Sequence, residues 1–542
     1  MLAALGLLAA TFPASEGAAD AASEAQRIWL FLGVSEDSGR EGFLRVVNHS
    51  AQNGEVRIEA ADDAGTSAAP VTLAIGAAQA VHLNSRDLEG GNAGKGLPEG
   101  IGPGQGDWRL TLSSDLDIEA LSYVRTADGF VTTMHDTAPT MDDGSHRVAF
   151  LNPGSNHRQE SHLRLVNPGA DAARVRITGT DDAGQPGTAA VTAEVPAGQS
   201  RTFTAAELES GNAPGLSGAL GDGAGKWRLR VESERDIVAM SLLATPTGHL
   251  ANLSAPPPEA DAGGAHVAPL FLSASDPLER QGFLRVVNRS DVAGTVRIEA
   301  FDQSDFAYDP VTLALDPRQA RHFNSTDLEM GNANKGLAGR LGAGRGDWRL
   351  ELTSDLDIEA LAYIRTKDGF VTSMHDLAPT ADGLLHKVAF LNPGSNDRQA
   401  SHLRLVNRGA AEAEATIEGI DDAGQSPALW CGSGCRRARR CPWAPRRLRK
   451  AATASRAPWA TARASGGCGW LQTSRCWWPA FWTRRRGTWR TSPRRRAGAQ
   501  PSRPARMPRR RRSAPWPRPS CSRSASPATS RAARPATRGW CS

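Results

Sequence analysis

The sequence predicts an all-β protein made of tandem antiparallel β-sandwich modules in an A-B-A-B order. Three observations predict this class. Apolar residues alternate with polar ones in short runs, as in half-buried strands. Gly, Asn, Asp and Pro separate these runs at the intervals expected of turns. The same pattern returns after about 240 residues, which indicates duplication of one structural unit.

Self-comparison of the sequence divides the chain into four modules. GFLRVVN at residues 42–48 returns at residues 282–288, and a weaker copy, SHLRLVN, stands between them at residues 161–167 and recurs at residues 401–407. The constant offset indicates that the copies differ by almost no insertions. The predicted modules are A1 (residues 28–140), B1 (147–256), A2 (266–380) and a truncated B2 (387–425).

Within module A1 the apolar alternation predicts about seven strands in order along the chain. They are residues 43–47, 56–60, 71–75, 80–83, 108–112, 118–124 and 130–134. This number of short strands with frequent turns favours an immunoglobulin-like sandwich, and a small open barrel is the alternative.

One short helical turn is predicted in each module. In B1, Thr204 and Glu207 have the spacing of a capping box before Leu208, and Gly211 can end the turn. The same place in module A1 reads NSRDLEGGN at residues 84–92, so an equivalent turn is expected there.

The first 24 residues predict a signal peptide and therefore a secreted or cell-surface protein. An apolar run at residues 2–12 precedes small residues that suit signal-peptidase cleavage, although no basic residue stands before the run. The run is too short to span a bilayer. We therefore expect no transmembrane segment.

The composition changes abruptly after Gln425. Residues 426–542 contain no Asp or Glu, 29 of the 63 Lys and Arg, and all seven Cys. The 34 remaining Lys and Arg face 58 acids, so residues 1–425 are acidic. Resemblance to module B1 stops at the same point, which predicts that a shifted reading frame encodes this segment.

The genetic code supports the shifted frame. Phe481-Trp482-Thr483 is encoded by TTY-TGG-ACN, which reads Leu-Asp when shifted by one base. Permitted codons through Ser492 continue to LDTPTGHLANL, which differs at one position from LATPTGHLANL at residues 243–253. We therefore expect residues 426–542 to be disordered. Their Arg and Trp are not interpreted as a nucleic-acid site, nor their Cys as a zinc site.

Paired acids are the candidate metal ligands of the modules. Asp62 with Asp63, and Asp181 with Asp182, each precede Ala-Gly in a predicted turn. Carboxylate oxygens could bind Ca²⁺ there, although such turns are more often only solvated. No other cofactor is expected.

Tryptophan and histidine supply the remaining candidate site residues. Trp108 and Trp348 could stack on a sugar, or fill a sandwich core as the alternative. His135 and His375 each precede an Asp and could act as bases or ligands, or form local hydrogen bonds at a strand end. Phosphate-loop, dinucleotide, nucleophile-elbow and HExxH motifs are absent from the sequence.

The repeated modules resemble the β-sandwich repeats of large secreted or cell-surface bacterial proteins. The resemblance covers about residues 28–425 and carries no catalytic motif. It implies a non-enzymatic extracellular interaction or spacer protein whose partner is another protein or a glycan. A carbohydrate-binding repeat protein and an accessory region of a secreted hydrolase are the alternatives.

Overall fold

The computed structural model describes residues 25–34, 39–261, 263–375, 377–378, 380–381, 385–409 and 411–426, together with four strands between residues 431 and 484. These residues belong to a unit formed by residues 1–486, and the second unit, residues 487–542, lies outside the described part. The predicted signal peptide (1–24) and most of the predicted disordered segment (426–542) also lie outside it. No helix in the described part is long and apolar enough to cross a membrane.

Module A1 forms two antiparallel sheets, with strand orders β1-β6-β3-β4 and β5-β2-β7-β8. All seven predicted strands are present, and β1, which pairs with β6 across an irregularity in register, is an additional strand. The described elements are β1 (Gln26–Phe31), β2 (Arg40–Asn48), β3 (Gly54–Asp62), β4 (Val71–Ile75), β5 (Ala80–Asn84), helix α1 (Ser85–Gly90), a 3₁₀ turn (Ala93–Lys95), β6 (Trp108–Ser113), β7 (Ile118–Thr126) and β8 (Val131–Thr133).

Module B1 has the same arrangement with one additional short strand, β14, in sheets β14-β12-β11-β15-β9 and β13-β10-β16-β17. Its described elements are β9 (His146–Leu151), β10 (Glu160–Val166), β11 (Ala173–Thr180), β12 (Val191–Val195), β13 (Ser200–Thr204), α2 (Ala205–Ser210), β14 (Leu216–Ser217), β15 (Trp227–Ser233), β16 (Val238–Ala244) and β17 (Leu250–Asn252).

Module A2 repeats the pairings of A1 in sheets β18-β24-β20-β21-β23 and β22-β19-β25-β26. Its described elements are β18 (His266–Phe271), β19 (Gln281–Asn288), β20 (Gly294–Phe301), β21 (Val311–Leu315), β22 (Ala320–Asn324), α3 (Ser325–Met330), a 3₁₀ turn (Ala333–Lys335), β23 (Leu337–Ala338), β24 (Trp348–Thr353), β25 (Ile358–Arg365) and β26 (Val371–Ser373). The prediction of an all-β fold is confirmed. The sheets of the described residues form no barrel.

Module B2 pairs with strands from beyond residue 425. Its sheets have the orders β27-β28-β33-β31-β32, β29-β35 and β30-β34. The described elements are β27 (Thr380–Ala381), β28 (Leu385–Leu391), β29 (Gln399–Leu403), β30 (Val406–Asn407), β31 (Ala413–Ile420), β32 (Cys431–Cys435), β33 (Gly466–Gln472), β34 (Cys476–Trp477) and β35 (Ala480–Arg484). Loss of the reading frame would leave β31 as an unpaired edge, but the structure pairs it with β32 and β33. Backbone hydrogen bonds between strands need no particular side chains, so β31 can pair with strands whose sequences do not resemble those of module B1.

Each complete module encloses its own apolar core between the two sheets. In β4, for example, Val71, Leu73 and Ile75 are buried while the residues between them are exposed. This alternation places one face of the strand against the opposite sheet. The tryptophan that begins β6, β15 or β24 is buried in the corresponding core.

The predicted helical turn is confirmed with its capping box. In α2 the Thr204 hydroxyl accepts from the Glu207 N–H, and the Glu207 carboxylate accepts from the Thr204 N–H. In α1, Asn84 and Asp87 exchange the same two hydrogen bonds. Each pair satisfies N–H groups that a helix start leaves without partners.

Candidate functional site

Buried arginines join successive modules through acidic turns. Arg164 of B1 lies 2.5 Å from Asp63 of A1, and Arg285 of A2 lies 2.6 Å from Asp182 of B1. The two arginine side chains are 2% and 0% exposed. A guanidinium this deeply buried needs a charged partner, so each arginine fixes the position of the preceding module.

The same contact joins the last module to the first. Arg45 of A1, fully buried, lies 2.9 Å from Asp422 of B2, and its Nε donates to the Ala389 carbonyl at 2.8 Å. A1 therefore contacts B1, B1 contacts A2, and B2 contacts A1. We call this set of contacts the closed circuit.

Backbone hydrogen bonds accompany the three ion pairs. In each case the carbonyl of the same acidic residue accepts from an N–H in the next module of the circuit. The donors and acceptors are Ser200 and Asp63 (3.1 Å), Ala320 and Asp182 (3.0 Å), and Ala80 and Asp422 (3.1 Å).

Glycine allows the acidic turn to approach its neighbour. Gly184 has φ +83°, and a Cβ there would lie 2.6 Å from the carbonyl oxygen of Pro317. Gly424 has φ +79°, and its Cβ would lie 2.5 Å from the Ala77 carbonyl oxygen. A side chain would meet both backbone strain and a clash, so the Ala-Gly after the acidic pair belongs to the contact.

The contact between A2 and B2 is different. Gln303 occupies the position that is Asp in the other modules. Arg404 of B2 donates to the carbonyl of Trp348 at 3.4 Å, and Arg408 of B2 pairs with Glu351 of A2 at 3.8 Å and with Asp261 in the segment between B1 and A2. This part of the circuit therefore depends on other ion pairs.

Apolar side chains also cross the module boundaries. Met134 of A1 and Met240 of B1 belong to one buried cluster, and Phe150 of B1 and Tyr363 of A2 belong to another. The rings of Phe150 and Tyr363 lie 5.3 Å apart. Burial of this apolar surface stabilises the modules as one body.

Three modules meet at a histidine between two carboxylates. Nε2 of His249 in B1 lies 2.9 Å from Oδ2 of Asp368 in A2 and 3.7 Å from Oδ2 of Asp128 in A1. The ligand atoms of these three residues lie within 4.8 Å of one another. We call Asp128, His249 and Asp368 the central cluster.

Threonines orient the two carboxylates. Thr126 donates its hydroxyl to Oδ1 of Asp128 at 2.5 Å, and Thr366 donates to Oδ1 of Asp368. Burial alone would raise the pKa of Asp368, but the Thr366 hydrogen bond and nearby His249 outweigh it, so that pKa is lowered. Both carboxylates thus direct Oδ2 toward the histidine.

Glutamines hold the turns that carry the carboxylates. Gln159 of B1 donates to the carbonyl of Gly369 at 2.6 Å, and Gln399 of B2 donates to that of Gly129 at 2.9 Å. Each A module therefore receives its support from a B module. The position of the central cluster follows from the closed circuit and not from one module alone.

Aromatic rings enclose His249, which is 1% exposed. Its ring centroid lies 4.9 Å from that of Phe130 and 5.1 Å from that of Phe370. Arg40 donates to the carbonyls of Gly248 and His249 at 2.7 and 3.2 Å. The two rings therefore pack against the imidazole and Arg40 holds its backbone, while Nε2 faces the carboxylates.

The predicted acidic candidates close loops and join modules. Asp62 accepts backbone N–H groups of Thr66 and Gln105 at 2.8 and 2.9 Å. Asp181 accepts those of Gln185 and Ala224, both at 2.8 Å. Their partners Asp63 and Asp182 contact arginines of the next module, as described above. These carboxylates therefore engage protein donors where the sequence suggested calcium ligands.

The predicted aromatic candidates are buried. Trp108 is 2% exposed and donates its indole N–H to Glu89 at 3.0 Å. Trp348 is 0% exposed and donates to Glu329 at 2.9 Å. A buried indole presents no face to a sugar, so the geometry supports the alternative of a core residue.

The predicted histidine candidates bond to backbone carbonyls. Nδ1 of His135 lies 3.2 Å from the carbonyl oxygen of Ser122. His375 is 3% exposed and contacts the carbonyls of Ala362 and Ala255 at 3.0 and 3.3 Å. The contacts with Ser122 and Ala362 match hydrogen bonding at a strand end within one module, whereas the contact of His375 with Ala255 joins A2 to B1.

The central cluster was not among the site residues predicted from the sequence. Asp128 and Asp368 occupy the same position of the repeat, and His249 follows the corresponding glycine in B1. The aligned turns read Asp-Gly-Phe in A1 and A2 but Thr-Gly-His in B1. The sequence gives no sign that these turns meet.

No protein-family model matches the chain, and no curated protein matches it.

Proposed function

We propose that the chain is a non-enzymatic extracellular scaffold, in which four modules are held as one body that presents its loops to a partner protein or glycan. The observation that carries this proposal is the closed circuit, in which buried arginines contact acids of neighbouring modules. These contacts hold neighbouring modules in fixed relative positions. A partner would therefore meet loops at fixed relative positions, which lowers the entropy lost on binding.

The modules are proposed to be immunoglobulin-like sandwiches. The pairing of β2 with β5, and the order β4-β3-β6, correspond to the B–E and C′–C–F pairings of that architecture. Strand β7 departs from it, because it pairs with β2 instead of β6. The correspondence therefore covers the central strands of the sandwich.

The proposed location outside the cell rests on the predicted signal peptide. The absence of cysteine from residues 1–425 is compatible with it, because modules of this size can fold without disulfides. Expression of the full chain in a bacterial host, followed by mass spectrometry of the secreted protein, tests this part. We expect a mature N-terminus near residue 24, whereas a cytosolic chain that retains Met1 would contradict it.

A calorimetric experiment tests the scaffold. Modules that act as one body unfold together, so the calorimetric and van't Hoff enthalpies of the described unit agree. Asp63→Asn with Asp182→Asn removes two partners of buried arginines and should split the transition. Asp115→Asn with Asp117→Asn, at exposed positions of A1, is the control. Separate transitions in the unaltered chain would contradict the proposal.

A further inference from the structure

We propose that the central cluster, Asp128, His249 and Asp368, binds one divalent transition-metal ion such as Mn²⁺ or Zn²⁺. This site goes beyond a scaffold held by ion pairs, because a single ion would fasten three modules at once. It is distinct from the acidic turns, whose oxygens bind backbone N–H groups and arginine.

The chemistry of the donors selects the class of metal. One imidazole nitrogen and two carboxylate oxygens form the cluster. Ca²⁺ and Mg²⁺ prefer ligand sets made only of oxygen. Mixed nitrogen and oxygen donors suit Mn²⁺, Fe²⁺ and Zn²⁺. The cluster therefore fits a transition metal better than calcium.

The spacing of the donors suits a shared ion. Ligands that lie about 2.0–2.1 Å from a tetrahedral metal are about 3.3 Å from each other. The two distances from His249 Nε2, 2.9 Å to Asp368 and 3.7 Å to Asp128, lie on either side of this value. All three donor atoms lie within 4.8 Å of one another, and movement of the two partly exposed carboxylates would bring them around one centre.

The ligands are oriented before an ion arrives. The hydroxyls of Thr126 and Thr366 donate to Oδ1 of each carboxylate, and Oδ2 of each carboxylate faces His249 Nε2. Such outer hydrogen bonds fix ligand orientation in metal sites. The buried imidazole is held between Phe130 and Phe370. Little side-chain freedom would be lost on binding.

The exposure of the carboxylates gives the ion a route. The side chains of Asp128 and Asp368 are 31% and 38% exposed, whereas that of His249 is 2% exposed. An ion could therefore enter from the carboxylate side and retain water ligands there. Two carboxylates beside one imidazole also supply the negative charge that a divalent cation requires.

Metal binding by the full-length chain tests the proposal directly. The seven cysteines are first alkylated, because thiolates bind Zn²⁺. Mn²⁺ is then titrated and followed by electron paramagnetic resonance, and Zn²⁺ is measured by competition with Mn²⁺. We expect one saturable Mn²⁺ per chain, which Zn²⁺ displaces.

Matched variants separate this site from other ion binding. Asp128→Asn and His249→Gln should each weaken Mn²⁺ binding at least tenfold. Asp117→Asn and His157→Gln, exposed residues of the same modules, should leave it unchanged. Urea unfolding without metal checks that Asp128→Asn folds. Absence of saturable binding, or equal loss in Asp128→Asn and Asp117→Asn, would overturn the proposal.

Discussion

Arg45, in the first module, lies 2.9 Å from Asp422, in the fourth. Like Arg164 with Asp63 and Arg285 with Asp182, it pairs a buried arginine with an aspartate of another module. A linear string of modules would leave Arg45 without an acid from a preceding module. The ion pair with Asp422 is therefore a contact that a linear arrangement would lack and that helps to close the circuit.

Removal of one acid should expose the cost of a buried arginine. Asp63→Asn leaves the buried guanidinium of Arg164 without its carboxylate, and we expect a loss of about 3 kcal/mol in the free energy of unfolding. Arg164→Met in the same chain should recover part of the loss. Urea unfolding of the two single variants and the double variant measures the coupling.

An exposed ion pair provides the control for this cycle. Arg57 and Glu59 lie 2.9 Å apart, with both side chains more than half exposed. Arg57→Ala should cost less than about 1 kcal/mol because water screens the pair. If Asp63→Asn lowers the free energy of unfolding no more than Arg57→Ala does, the contact between Arg164 and Asp63 does not stabilise the molecule.

Two glycines of module B1 separate backbone strain from contact between modules. Gly184 and Gly215 both have φ +83°, but only Gly184 approaches the next module. Gly215→Ala should cost about 1–2 kcal/mol through strain alone. Gly184→Ala adds a clash with Pro317 and should be clearly less stable in thermal unfolding. Equal melting temperatures would mean that the acidic turn can move away from A2.

Two histidines at contacts between modules should make the free energy of unfolding depend on pH. Burial, followed by repulsion from Arg45, lowers the pKa of His82 to about 3. Burial, followed by repulsion from Lys226, lowers the pKa of His322 well below its usual value. The unfolded chain therefore binds more protons below pH 6.5, and stability should fall as pH decreases from about 6.5 toward 3.

Variants of these histidines check the assignment. The ring of His82 lies 5.1 Å from that of Phe390 in B2, so its protonation would disturb the contact that closes the circuit. The double variant His82→Gln with His322→Gln should flatten the dependence of the urea midpoint between pH 7 and 4.5. His157→Gln, at an exposed position, should not. An unchanged slope in the double variant would show that other groups control acid unfolding.

The buried tryptophans should affect stability and not ligand binding. Trp108→Phe removes the hydrogen bond to Glu89 and leaves a small cavity, and we expect a loss of about 2 kcal/mol or more. Chemical denaturation measures the loss. A glycan whose binding is abolished by Trp108→Phe, in a chain that still folds, would instead support the carbohydrate-binding alternative.

Module B2 should be the least stable of the four. Strand β33 has the sequence GGCGWLQ where B1 has WRLRVES in β15, and glycine weakens strand interiors. Amide hydrogens of β31 should exchange faster than those of β11 in B1. Restoration of the reading frame after Gln425 should slow them. Equally slow exchange in the unaltered chain would contradict this prediction.

The strands and helix caps could be predicted because their determinants are local. Alternation of apolar residues places strands such as β4, and the Thr204–Glu207 spacing defines the start of α2. Strand β1 was missed because QRIWLF does not alternate regularly. The same repeated patterns favoured a sandwich over an open barrel, but they did not determine the order of its strands.

The ion pairs between modules and the central cluster could not be predicted, because the residues that meet in them are far apart in sequence. Asp63 and Asp182 were each recognised as part of an acidic pair, with Asp62 and Asp181. Nothing in the sequence pattern identified Arg164 or Arg285 as their partners. Asp128, His249 and Asp368 come together only after three modules have docked. An interaction between repeated units is therefore visible in the structure before it can be recognised in the sequence.

The distance between A1 and B2 tests the closed circuit most directly. In a chain whose seven cysteines are replaced by serine, spin labels are attached at Ala51→Cys and Gln425→Cys, exposed positions beside the contact. The pair Gln185→Cys and Asp291→Cys, at the corresponding positions of B1 and A2, is the reference. We predict one narrow distance distribution that is similar for both pairs. A broad distribution for the first pair, reaching much longer distances than the reference, would show that B2 does not hold A1.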